Sequence, residues 1–387
     1  MITLLLFLAT NVVENGIKPS NPMKLKLVSE LVLGEDEDDD KQQFTMGSQI
    51  APDGSGNLYV LDPGNDRVVV FDEKGAFLRE FGRKGEGPGE LQQPKEICLD
   101  HEGNLAIFDL GSKKMNTFDT EGKFLREKAI PQSLVSLSHP AFMKNGNILL
   151  SVVRVDPDGT QNFELILYDQ NFNTLKTLDS IPQPKKDWNK IGEPQFWVGF
   201  LKDIFEGIEK GIPVGASTNG ETFTSIRSNA YQATIYDQNG VEQLKYQKKF
   251  KPLPFTSDAK EVAYGKIWQS LCNNPFLNNN MPRPIFQKAL EQAEVGEVTR
   301  PIWEITTMGE LTVFLVNYNS TKSEGTLDFF NASGKCVAQL AYKGTDEFLT
   351  GVGNHLYAMG TDENDSLVVT RYRIDGLSPK ALKPASH

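Results

Sequence analysis

The chain is expected to be all-β: a six-bladed β-propeller of four-stranded antiparallel blades, with two partly helical inserts on one face. Two observations carry this expectation. The first is self-similarity at a fixed offset of 47 residues: Asp53, Gly56, Asn57, Leu58 and Asp62 recur as Asp100, Gly103, Asn104, Leu105 and Asp109, and Phe71, Asp72, Gly75 and Phe77 recur as Phe118, Asp119, Gly122 and Phe124. The second is that the repeated unit consists only of strands and turns. A period of about 40–50 residues marks an array of units, none of which buries its apolar face alone.

In order, the unit reads as a short strand before Asp53, a turn at Gly56 and Asn57, an apolar strand over 58–61, a turn over 62–67, a strand over 68–71, a turn over 72–75, and a strand over 77–81. Turn residues punctuating short β-branched and aromatic runs are the signature of an antiparallel meander. The template continues through a third copy around Pro140 and Gly146 to Asp169, and a fourth from Val214 to Gly240. A fifth spans Pro301 to Leu340, and a sixth starts near Phe348 and ends near Asp375. Little chain remains after Asp375 for an outer strand. Leu25, Leu27, Leu31 and Leu33 alternate over 25–33 and supply the missing strand, closing the ring and removing its open edges. Residues 179–213 and 251–300 exceed the template and form the inserts. The domain reading is a leader over 1–24 followed by one propeller over 25–387.

The repeat residues resemble a known family. The run from Gly56 through Leu58, Tyr59 and Val60 to Asp62, the run from Arg67 to Asp72, and the link Phe81-Gly82-Arg83-Lys84-Gly85-Glu86-Gly87-Pro88-Gly89-Glu90-Leu91 before Pro94 resemble NHL-repeat six-bladed propellers. The likeness is to their bacterial extracytoplasmic group, many of whose members have no assigned activity. Related propellers include calcium-dependent lactonases and lyases, so the resemblance implies either a binding protein or such an enzyme.

Composition narrows the partners. With 387 residues, 39% of them hydrophobic, the chain can bury a substantial core. Its formal net charge of −11, without a large Lys/Arg cluster, argues against nucleic acid. The acidic run Glu35 to Asp40 lacks the glycine and spacing of a calcium loop and reads as a solvated loop. Cys98, Cys272 and Cys336 leave an odd thiol without paired spacing. The apolar stretch over 2–9 fits a signal-peptide core but lacks a basic flank, and no cysteine follows it to carry a lipid anchor. A secreted or periplasmic location, no membrane span and no cofactor are expected; an oligomeric state is not readable.

Topology places the candidate site. In an up-and-down blade, the loop between second and third strands and the link to the next blade lie at one face, so both inserts crowd that face. Residues 193–210, with Phe196, Trp197, Phe200, Leu201, Ile204, Phe205 and Ile208, have helical apolar spacing, which fits either a helix packed on the rim or an exposed partner-binding helix. Aligned at the end of the second strand are Asp62, Asp109, Arg154, Arg227 and Asn317. Asp62 and Asp109 precede turns and are expected to cap them. Arg154 and Arg227 form either a clamp for a carboxylate or phosphate or ion pairs with neighbouring carboxylates. Among the histidines only His139 can face the channel. No Ser-His-Asp arrangement or metal-spaced His/Cys set is present. The leading expectation is thus a non-catalytic propeller binding a protein, peptide or small anionic ligand at its insert-bearing face, and the rival is a lactonase-like hydrolase or lyase.

Overall fold

The computed structural model describes residues 12–377 except 37, 211–213, 217–219, 228–229, 252, 255, 320, 346–347 and 363–365; within 258–301 it describes only 265 and 283–292. The 1–11 stretch, Cys272, His387 and most of the second insert thus lie outside the described residues.

Six sheets form a ring. Blade one is β3 (Gln49–Pro52), β4 (Leu58–Asp62), β5 (Arg67–Phe71) and β6 (Phe77–Phe81); blade two is β7 (Pro94–Leu99), β8 (Leu105–Asp109), β9 (Lys114–Phe118) and β10 (Phe124–Ala129). Blade three is β11 (Leu134–Phe142), β12 (Ile148–Val155), β13 (Gln161–Tyr168) and β14 (Thr174–Pro182). Blade four is β15 (Val214–Ala216), β16 (Thr222–Arg227), β17 (Gln232–Asp237) and β18 (Glu242–Lys248), and blade five is β19 (Ile302–Met308), β20 (Leu311–Asn319), β21 (Glu324–Phe330) and β22 (Cys336–Lys343). Blade six contributes only β23 (Phe348–Val352), β24 (His355–Thr361) and β25 (Leu367–Asp375) from its own sequence. Its outer strand is β2 (Lys26–Leu33), which pairs antiparallel with β25 from Lys26↔Asp375 to Leu33↔Val369. The expected closure is therefore present.

The turns explain why the repeat reads so clearly. Between third and outer strands, the Asp72 carboxylate accepts from the Lys74 and Ala76 N–H groups while Gly75 adopts φ +82°. Asp119, Asp169, Asp237 and Asn331 make the same pair of bonds in blades two to five. A short side-chain acceptor thus builds each turn locally. Blade three departs from the pattern, because Phe172 stands where the others carry glycine and takes φ +60°. Its ring is buried against Phe108 and Tyr168, and that burial offsets the left-handed backbone.

Each seam between blades holds its own apolar core. Val60, Val69 and Phe71 meet Tyr357 and Met359 between blades one and six, and Leu315 and Leu327 meet Leu356 and Ala358 between five and six. Four further clusters fill the remaining seams, so the ring is held by neighbouring pairs rather than by a common centre. The seam between blades four and five also carries a buried polar group: Asp328 accepts from Tyr231 Oη, Lys248 Nζ at 2.5 Å and Gln339 Nε2 at 2.7 Å.

The N-terminal segment departs from the leader reading. β1 (Val12–Asn15) lies within it yet pairs parallel to β18 as a fifth strand of blade four. The Asn15 amide donates to the Gln247 and Gly334 carbonyls and accepts from the Cys336 N–H, tying blades four and five. Met23 N–H then donates to the Val337 carbonyl before β2 begins. Residues 12–33 thus strap across three blades, and the propeller starts earlier than residue 25.

Both inserts link an outer strand to the next inner strand, which puts them on one face. The first carries a short 3-10 turn (Trp188–Lys190) and α1 (Pro194–Lys210), matching the expected helix; the second contributes α2 (Arg283–Gln292). Trp197 and Leu201 of α1 are buried, and α1 packs against α2.

Candidate functional site: the central channel

The inner strands enclose a cavity of about 530 Å³ to which all six blades contribute. Its lining runs from the middle of those strands to the turns that follow: Ile50 to Pro52, Glu96 to His101, His139 to Phe142, Gly215, Ile305 to Thr307 and Leu349 to Gly351, with Lys144 and Gly220 at the rim. The first-to-second-strand turns lie at the end opposite the inserts. The sequence reading put the site at the insert-bearing end; the cavity enclosed by the described residues reaches the other face.

Glu96 and His139 line this cavity, and Glu304 approaches His139 from blade five. Glu96 of blade two and Glu304 of blade five occupy the same register position, each directly after a bulge that offsets Lys95 and Trp303. Blades two and five are opposite one another in a ring of six, and Glu304 is near enough to Glu96 to raise it by repulsion. His139 joins them from blade three, its Nε2 lying 3.6 Å from Glu304 Oε2. A register shift between Ser138 and Ala141 marks a bulge at His139, which takes φ +53°. Bulges re-aim side chains, and left-handed backbone outside glycine is held only by the surrounding structure.

The electrostatics of Glu96 are those of a buried acid. It is 8% exposed. Desolvation is the largest influence and Glu304 adds repulsion, while His139 and Lys95 oppose them; the result is a carboxyl pushed up to about 8. Glu96 is therefore protonated at neutral pH. Cys98, two residues along the same strand, is half-buried and desolvation pushes its thiol up, which makes it an inert thiol rather than a nucleophile. Cys336 behaves likewise, at about 11.

The residues singled out from the sequence divide by role. Asp62 accepts from Thr45 N–H and Oγ1, Asn65 Nδ2 and Arg67 Nε, and Asp109 accepts from the N–H groups of Gln92, Gln93, Gly111 and Ser112. Both are fully buried and tie the incoming link to the turn, in the capping arrangement expected for them. Arg227 sits at the register position of Asp62, opposite Gln232 as Asp62 is opposite Arg67. Arg154 does not: the β12–β13 hairpin is longer and carries Arg154 two residues further, opposite Asn162. Asn317 lies one residue further, at φ +49° in a bulge, with a buried Oδ1 that has no hydrogen-bond partner among the described residues.

Both arginines are engaged by carboxylates. Arg154 binds Glu164 through Nε at 2.6 Å and Nη2 at 3.2 Å, and binds Asp156 through Nη1, which holds its guanidinium firmly charged. Arg227 binds Asp179 of the adjacent blade. Of the two sequence alternatives, the structure presents the ion pairs: Arg154 is bound by two carboxylates, and Arg227 is bound by one through Nη2.

Glu96 and Glu304 escaped the sequence reading. A signal was there: carrying the 47-residue offset upstream of Asp53 pairs Gln49 and Ile50 with Glu96 and Ile97, and the Glu-Ile step recurs at Glu304 and Ile305. A polar residue repeated at an inner-strand position marks the channel.

Among the described residues no group of three or more His, Cys, Asp or Glu side chains is arranged to hold a metal ion. Nor is any helix there long and apolar enough to cross a membrane.

Comparison with known proteins agrees with this architecture. Residues 55–208 match the family model described as Domain of unknown function (DUF4934). Among solved structures, a DUF4221-family member from Bacteroides vulgatus ATCC 8482 is similar at 12% identity and TM-score 0.53, covering 92% of this chain and 99% of that one. A candidate exported protein from Bacteroides fragilis NCTC 9343 is similar at 14% identity and TM-score 0.49, over 94% and 100% of the two chains. A gluconolactonase from Xanthomonas campestris is similar at 9% identity and TM-score 0.43, over 92% and 91%. No curated protein matches the chain. At 12% identity the likeness to the DUF4221-family member is one of fold alone; the NHL resemblance rests on the repeat residues alone.

Proposed function

We propose that the protein is a non-catalytic, extracytoplasmic binding propeller that holds a small ligand in its central channel, which opens at the end away from the inserts. The observation that carries this reading is Glu96: a buried carboxyl that lines a 530 Å³ cavity and makes no hydrogen bond or ion pair with any described residue. Buried polar groups are normally satisfied, and one that is not, at a cavity wall, has its partner still to come. The ion pairs of Arg154 and Arg227 turn the reading away from an anion at the insert-bearing face. The resemblance to bacterial extracytoplasmic propellers and the apolar stretch over 2–9 support the location.

A lactonase-like hydrolase or lyase is the second reading. One observation favours it: a protonated Glu96 beside His139 is an acid and a base in one cavity. The described residues do not fit the calcium such enzymes use, and no step is derived through it.

Thermal-shift screening of small polar metabolites against the parent and a cavity-filling Thr350→Trp variant tests the binding reading. At least one compound should raise the parent's melting temperature by several degrees and leave Thr350→Trp unmoved. Equal shifts in both proteins, or none in either, would refute it. Turnover of a lactone panel by the parent and not by Glu96→Gln would replace it with the enzyme.

A further inference from the structure

Resting on that channel reading, we infer that the ligand is a small aliphatic amine, bound as its ammonium with the Glu96 carboxylate as counter-charge. Glu304 Oε2 has the His139 imidazole 3.6 Å away, whereas Glu96, at the cavity wall, is bonded by no side chain of the described residues. An anion placed there would gain at most a hydrogen bond from the protonated Glu96, and it would lie near the Glu304 carboxyl, whose repulsion already helps to raise Glu96. An ammonium instead gains charge-assisted hydrogen bonds to the carboxylate. Around this acidic point lie Ile50, Ile97, Ile305 and Leu349, with Thr306 and Thr350 between them, while Asp100, His101 and Lys144 line the cavity toward its mouth. Aliphatic side chains next to the acidic group match a ligand with one charged end and a short hydrocarbon body.

The other charged groups do not supply that cation. Lys95 is solvent-exposed on the bulge, and Lys144 at the rim is held by Glu221 at 2.5 Å. Asp100, further along β7, accepts from the Glu102 and Asn104 N–H groups and from Arg126. His139 faces Glu304 as well as Glu96, and Cys98 is a neutral thiol.

Because Glu96 is protonated when the channel is empty, an incoming ammonium displaces that proton. The proton leaves to buffer and the carboxylate takes the ligand's charge, so binding strengthens as pH rises and levels off above about 8.

The test is calorimetric titration of the full chain with three probes of similar size: n-butylammonium, butyrate and 1-butanol. Butylammonium should bind at least tenfold tighter than the other two, and at least tenfold tighter at pH 8 than at pH 6.5. Titrations in buffers of different ionisation enthalpy should report release of up to one proton at pH 7. Glu96→Gln should lose at least tenfold in affinity, Glu304→Gln less, and Thr350→Trp all binding. Butyrate or butanol binding as tightly, or Glu96→Gln matching the parent, would overturn the amine while leaving the channel standing if Thr350→Trp still abolishes binding. No butylammonium binding at millimolar concentration would also overturn it, and a probe that binds Thr350→Trp equally well removes the channel reading too.

Discussion

Replacing Glu96 by Gln should make the protein more stable, by an amount that depends on pH in a specified direction. The folded-state carboxyl titrates near 8 against 4.5 for an unburied glutamate. For a group whose folded value is raised, the stabilising contribution is fully present below the unfolded value and is lost as pH rises through the folded one. Between pH 4.5 and 8 the native state holds a proton that the unfolded chain has released, so stability falls with each unit of pH. Each unit costs about 1.4 kcal/mol, and the whole interval reaches about 4–5 kcal/mol. Glutamine keeps the shape of the neutral acid and cannot ionise. The two proteins should therefore have similar urea midpoints at pH 4.5 and diverge progressively to pH 8, with Glu96→Gln the more stable, and then run parallel. Urea titrations followed by tryptophan fluorescence at pH 4.5, 6, 7 and 8 read this directly. A stability difference that stayed constant within about 0.5 kcal/mol across the series would refute the burial argument for Glu96, because a pH-independent offset reflects packing and not ionisation.

Three further outcomes follow from the fold. Truncation through Leu33 removes the outer strand of blade six and should abolish the cooperative thermal transition, seen by circular dichroism; an unchanged midpoint would contradict ring closure by β2. Asp328→Ala strands Lys248 in a buried seam and should cost about 3–5 kcal/mol in chemical denaturation, whereas a loss below about 1 kcal/mol would mean that the Asp328 network contributes little. Millimolar calcium or chelator should shift the melting temperature by less than about 1 °C, since only a ligand that binds the native state stabilises it; a rise of several degrees with calcium would promote the lactonase-like reading.

The repeat was legible because its turns are self-contained. An Asp or Asn that caps its own turn and a glycine three residues on, as at Asp72 and Gly75, act over a few residues and so leave their mark in sequence. Phe172 shows the limit: the same turn is made there through a ring buried between blades two and three, which no local pattern reports. The strap over 12–33 was half legible, since alternating leucines announce β2, but nothing in Val12 to Asn15 announces a parallel partnership with β18. At the site, aligning Arg154 with Asp62 failed because hairpin length and bulges set height within a blade, and neither is visible residue by residue. His139, the histidine able to face the channel mouth by its place in the third blade's inner strand, is a lining residue of the cavity. Glu96 and Glu304 were passed over because each sits in a mixed charged and apolar run that reads as an ordinary strand; only their opposition across the ring gives them meaning.

The β2–β25 pairing has a consequence for biogenesis. The two strands lie more than three hundred residues apart in the chain, so at about 5–20 residues per second the first-made partner waits tens of seconds for the second to be synthesised. Through that interval β2 is an unpaired strand with an apolar face, and the seam between blades one and six stays open. Blades one to five can assemble in the order they are made, but the ring becomes a ring only in its final step. A translational stall or premature stop before Leu367 would yield a chain with five complete blades and a loose strand able to pair with the same edge of a neighbouring copy.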